Sequence, residues 1–116
     1  MSREWVLKTF IGLGLSGVEA EVYLFLAQTG PVKAREIVKT LKFPKQQVYR
    51  SLESLQTRGL VKASHELTTQ YAAVSLEKTL DQFMKEKKEQ AKALQANKEE
   101  LLSNWHSMIE KNSATS

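Results

Sequence analysis

No cysteine occurs among the 116 residues, so disulfides and thiolate metal sites are excluded. The two histidines, His65 and His106, lie far apart in sequence and make no imidazole cluster, so neither a metal nor a cofactor is expected. No run of about 18 apolar residues is present, and the amino terminus lacks the basic, apolar and small-residue succession of a secretory signal. A cytoplasmic protein with no membrane partner is expected. No combination of nucleophile, base and orienting group stands out, nor does any glycine-rich phosphate loop, so no enzyme is expected. Proline occurs only at Pro31 and Pro44, and no proline or glycine interrupts residues 76 to 111. Lys and Arg are missing between Lys62 and Lys78.

What is present suits one compact domain with an appended element: 41% apolar and 26% charged residues in a chain of this length. The net charge of +4 is unevenly spread. Residues 31 to 62 hold eight basic side chains against two acidic ones, a net of +6, and the remainder is net negative. Such a concentration suits attraction to phosphate, and equally a solvated basic face.

Residues Arg3 to Leu13 carry Trp5, Leu7, Phe10, Ile11 and Leu13, which predicts a short, largely buried helix. Ser16 with Glu19 forms a capping box, in which each side chain satisfies a free amide at a helix start. The helix that follows from Gly17 holds Val18, Val22, Tyr23, Phe25 and Leu26, and Thr29, Gly30 and Pro31 stop it. A third helix is expected from Lys33 or Ala34 to Leu41, with Ile37, Val38 and Leu41 inward. Only Lys42 and Phe43 separate it from Pro44, which opens a fourth helix to Arg58. There Val48, Leu52 and Leu55 share one side, and Lys45, Gln46, Tyr49, Arg50 and Glu53 point elsewhere. Gly59 closes it. The short connection matches a helix-turn-helix. The strand-forming segments Leu60 to Ser64 and Gln70 to Val74 predict a hairpin.

The expected fold is therefore mainly α with a small β-hairpin: a winged helix-turn-helix over residues 1–75, a long helix over 76–111 and a disordered tail over 112–116. Ser75 caps the long helix, which at 1.5 Å per residue spans roughly 54 Å. Leu76, Leu80, Phe83, Met84, Leu94, Leu101, Trp105 and Met108 recur at steps near three and four and predict a coiled-coil dimerisation face. Lys87, Gln90 and Asn97 make the middle of that seam polar. Folding of the helix back onto its own domain is the alternative.

The segment Gly14 to Lys62 carries Gly14-Leu15-Ser16, Glu19-Ala20, Val22-Tyr23, Gly30-Pro31, Ala34-Arg35-Glu36-Ile37, Pro44, Val48-Tyr49, Leu52, Leu55 and Gly59-Leu60-Val61. In order and spacing it resembles the amino-terminal winged-helix domain of TrmB-type transcriptional regulators, a mainly archaeal family. The similarity continues through Tyr71 and Val74 to the start of the last helix. The resemblance implies DNA binding as a homodimer, with the Pro44 to Arg58 helix in the major groove. Family members often carry a sugar-binding effector domain, whereas the long helix follows here, so ligand sensing by that route is not expected and no small-molecule effector is evident.

On this reading Lys45, Gln46, Gln47, Tyr49 and Arg50 face base edges, where Gln can pair with adenine and Arg with guanine. Lys33, Arg35, Lys39, Lys42 and Arg58, with Thr68 and Thr69 of the uncharged wing, contact phosphate. Tyr49 has packing over the third helix as its alternative, and Arg58 has capping of helix carbonyls. Trp5 and Trp105 are expected to be packing anchors rather than base-stacking platforms. The expected function is a sequence-specific regulator of double-stranded DNA. A chromatin-architectural protein of low specificity and a winged-helix docking module are the competing readings.

Overall fold

Caps and breakers set the element boundaries in the computed structural model, which describes residues 2–114. The Ser2 side chain accepts from the Trp5 amide and starts α1 (Arg3–Gly12). The Ser16–Glu19 capping box starts α2 (Gly17–Thr29), with both reciprocal hydrogen bonds formed. α3 (Ala34–Leu41) ends at Lys42, whose φ of 60° places it in the left-handed region. α4 (Lys45–Thr57) follows Pro44 and ends before Gly59, which takes a φ of 78°. Strands β1 (Val61–Ser64) and β2 (Gln70–Ala73) pair antiparallel, with Val61 opposite Ala73 and Ser64 opposite Gln70. α5 (Leu76–Ala114) completes the order.

The chain divides into two units at Phe83 and Met84. In the first, α2 is central and contacts α1, α3, α4 and β2. Its core gathers Phe10, Leu15, Val22, Tyr23, Leu26, Ile37, Val48, Leu52, Leu55, Leu60 and Phe83. The Phe10 and Tyr23 rings meet edge to face, with centroids 5.4 Å apart. The Tyr23 hydroxyl donates to the Val74 carbonyl at 2.8 Å and meets the buried Thr79 hydroxyl at 3.0 Å, tying α2 to the start of α5. Among the described residues no buried side-chain polar atom lacks a partner. Each polar group at this junction thus offsets the cost of leaving water.

Several expectations change. α1 is not largely buried: only Phe10 is, and Trp5, which pairs with no core position, is 57% exposed. Arg3 instead anchors α1 to α2 through an ion pair with Glu21. Phe83 cannot serve the dimer seam as expected, because it is 1% exposed and sits in the core of the first unit. The first two turns of α5 cover this core, so the heptad step that reaches Phe83 has an intramolecular partner. Val32 forms an additional antiparallel bridge to Tyr71, with N···O distances of 3.1 and 2.8 Å, extending the hairpin sideways to the α2–α3 linker. The last helix continues to Ala114, past the expected end at Lys111, and the remainder of the expected tail, Thr115 and Ser116, lies outside the described residues.

The second unit begins at Met84 and is the rest of α5. Leu94, Leu101, Leu102, Trp105, Met108 and Ile109 are all exposed on it.

Candidate nucleic-acid interface

The helix-turn-helix presents one side of α4 to solvent because the other side is sealed. Val48, Ser51, Leu52 and Leu55 are buried at helical spacing, and Lys45, Gln46, Gln47, Tyr49, Arg50 and Glu53 are exposed. The five expected base-facing residues do not share one direction. At about 100° per residue, Gln46, Arg50 and Glu53 project most directly away from the buried line. Lys45 and Tyr49 lie on the flank toward α3, where they line an open depression with Arg35, Val38 and Lys39. The Lys45 ammonium sits 5.8 Å from the Tyr49 ring centroid, a cation–π approach. Gln47 is on the opposite flank, two turns before Ser54, whose hydroxyl bonds Glu19 of α2. Glu53 is the residue on the outward line that the charge pattern did not single out.

Tyr49 is 44% exposed and borders that open depression beside α3. It also lines a second groove, of about 340 Å³, with Lys33, Ala34, Arg35, Thr69 and Tyr71. The fold therefore gathers Lys33, Arg35, Lys39, Lys45, Tyr49 and Thr69 around α3, α4 and β2. Lys42 is exposed in the turn between the helices. Tyr71 belongs to this group although only the family resemblance, and no charge or spacing signal, marks it in sequence. Burial, with the Tyr49 phenol nearby, pushes the Tyr71 hydroxyl above its ordinary pKa, so it remains a donor at neutral pH.

Arg58, expected among the phosphate contacts, is engaged within the fold. Its guanidinium lies over the Phe83 ring, 5.0 Å from the centroid, and donates to the Gly14 carbonyl at 3.4 Å. It also faces Glu19. Partial burial pushes the Glu19 carboxyl up, but the Ser54 hydroxyl, the Ser16 amide and hydroxyl, and the Arg58 charge outweigh this and hold its pKa below the ordinary value. Arg58 is thus spent on joining α4 to the α1–α2 turn and α5. In the wing, His65 Nδ1 and Thr69 Oγ1 are 3.1 Å apart and close the turn. Thr68 is exposed beside Leu67, which is 98% exposed at the wing tip. Among the described residues no group of three or more His, Asp or Glu is placed to hold a metal, and no helix is long and apolar enough to cross a membrane.

The sugar-specific transcriptional regulator TrmB family matches residues 11–77, from the end of α1 into the first turn of α5. Over 72 residues the chain is 35% identical to the uncharacterized protein YrhO of Bacillus subtilis (strain 168), a stretch that is 62% of this chain and 26% of that protein. The chain thus spans about a quarter of the length of this curated relative. Among solved structures, TrmBL2, an archaeal chromatin protein described as showing a novel mode of DNA binding, superposes with a TM-score of 0.74 at 26% identity. That superposition covers 95% of this chain and 44% of TrmBL2. A possible transcriptional regulator from Methanosarcina mazei Go1 shares the fold, with a TM-score of 0.65 at 18% identity over 86% of this chain and 88% of its own. With more than half of its length matched and the winged helix-turn-helix formed over that same stretch, this chain belongs to the TrmB family of transcriptional regulators.

Proposed function

We propose that the protein binds double-stranded DNA as a homodimer and regulates transcription by reading sequence with α4 in the major groove. The observation that carries this reading is the outward line of Gln46 and Arg50, bordered by exposed Lys39, Lys42 and Lys45 on the same helix-turn-helix. Phosphate contacts from those lysines, with Lys33 and Arg35, set the register, and Gln46 and Arg50 carry base information. Lys45, Tyr49 and Gln47 border the reader from its two flanks. Support for the homodimer comes from the exposed Leu94, Leu101, Trp105 and Met108, with Leu102 and Ile109 widening the stripe. Leu76 and Leu80 of the first unit and Met84 of the second are exposed as well and belong to the same expectation.

Footprinting on genomic fragments tests the proposal. Two protected half-sites of related, inverted sequence, about one helical turn of 34 Å or a multiple apart, are expected. Protection of an isolated half-site would count against a homodimer.

A second reading is favoured by the likeness to TrmBL2, an archaeal chromatin protein. It is an architectural role with little sequence preference, in keeping with a wing that has no Lys or Arg from Ala63 to Glu77. Genome-wide mapping separates the two: a few sharp peaks mark a regulator, and broad coverage marks a DNA-coating protein.

A further inference from the structure

We infer that the groove between the start of α3, the flank of α4 and strand β2 seats one phosphodiester of the DNA backbone, and that the Tyr71 hydroxyl is one of its donors. This rests on the DNA-binding reading above and adds to it a defined anion site that includes the uncharged wing.

The lining is two cations, three hydroxyls and Ala34: Lys33, Arg35, Tyr49, Thr69 and Tyr71 supply every polar side chain, and none is acidic. Lys and Arg can only donate hydrogen bonds, so the lining is rich in donors and positive charge. A base edge, which mixes donors and acceptors, fits such a lining less well than a phosphate oxygen does. The Tyr71 hydroxyl has no hydrogen-bond partner among the described residues, which leaves it available to a ligand. Its position is not set by the hairpin alone. The paired hydrogen bonds between Val32 and Tyr71 fix β2 to the residue directly before Lys33, so the wing and α3 hold this groove as one piece.

Continuity with the reader helix identifies the source of the phosphate. The groove shares Arg35 and Tyr49 with the depression lined also by Val38, Lys39 and Lys45. A backbone strand lying along the two would meet a cation at each step, with α4 alongside. Tyr49 then serves the phosphate side of the interface, and Gln46 with Arg50 is left to face the bases.

Fluorescence anisotropy of the full chain on duplex DNA, over a range of salt, tests the assignment. Tyr71→Phe keeps the ring and its packing. It should bind every duplex about tenfold more weakly, since a hydrogen bond to a charged group is lost, with an unchanged slope of log K against log salt. Lys33→Gln should also weaken all binding, but should flatten that slope by about one. The double variant should lose less than the product of the two single losses, because both act on one phosphate. A Tyr71→Phe protein that binds duplex as the wild type does, with an unchanged thermal midpoint, overturns the phosphate seat. Inorganic phosphate is the second probe. If it perturbs the Tyr71 ring resonances while Tyr71→Phe leaves duplex affinity intact, the groove is a free-anion site and the proposal fails. Wild-type protein that binds no duplex at low salt would instead remove the DNA-binding reading, and the seat with it.

Discussion

Arg50 and Lys39 carry the same charge, and the fold gives them different surroundings. Arg50 stands on the outermost line of α4, where a guanidinium can pair bidentately with guanine; Lys39 stands on α3 beside the depression that borders the reader. Arg50→Ala is expected to cost about 1–3 kcal/mol on a specific site and to relax preference at one base pair. Lys39→Ala is expected to weaken binding to all sequences alike and to flatten the salt slope by about one. Titrating both variants against a specific and a scrambled duplex decides the matter, and equal losses on both duplexes from both variants would erase the distinction. Glu19 makes a prediction about stability. Its pKa is depressed in the folded state, so its stabilising contribution is present above the ordinary carboxylate value and is lost as pH falls through the lowered folded value. The deficit of Glu19→Gln relative to wild type, read from denaturant midpoints between about pH 7 and 3, should therefore shrink toward the acid end. The capping half of Glu19's role was legible in sequence from Ser16 three residues before it. Its bond to Ser54 and its attraction to Arg58 were not, because those residues meet it only after α4 packs on α2.

At the scale of elements, the turn between α3 and α4 is where local preference yields to packing. Lys42 adopts a φ of 60°, a conformation that costs a residue with a Cβ roughly 1 kcal/mol and costs glycine little. Lys42→Gly should raise stability by at most about 0.5 kcal/mol, since the freer unfolded chain offsets part of the relief, and should lift the thermal midpoint by about two degrees. A lower midpoint in a melting experiment would show that the lysine stem contributes packing that the turn geometry does not reveal. α2, α3, α4 and the hairpin were recoverable from capping residues, breakers and apolar spacing, because these signals act within one or two turns of chain. α1 is expected to be largely buried and is not. Its apolar residues predict a helix correctly, but how many of them find cover depends on how much of α2 and α5 lies against them, and Trp5 finds little. The Val32 bridge was equally hidden, since a single residue pairing with a strand 39 positions away leaves no periodicity.

For the whole molecule, the question is what covers the apolar side chains of α5 beyond Met84. Leu101, Trp105 and Met108 are exposed, as are Leu102 and Ile109, which the expected dimerisation face does not include. The stripe they form is broader than a strict two-position seam. Replacing Leu101 and Trp105 together with lysine should convert a dimer to a monomer in sedimentation equilibrium and weaken DNA binding strongly, because one reader helix then acts alone. The winged domain should keep its thermal transition, since neither residue belongs to its core. A wild-type protein that stays monomeric at tens of micromolar, or a double variant that stays dimeric, would refute this assignment of the stripe.

The sequence by itself determined the order of elements, the winged helix-turn-helix, the location of the basic surface and the exposed side of α4. All of these follow from spacing, capping and charge within short stretches of chain. Only the tertiary structure decided that Phe83 fills the core instead of a seam, that Arg58 lies over Phe83, and that Tyr71 joins Lys33, Arg35 and Tyr49 in one groove. The physical reason is the same in each case. A side chain's type says what it can bind, but its partner is chosen by elements that are distant in sequence and adjacent only once the core has closed.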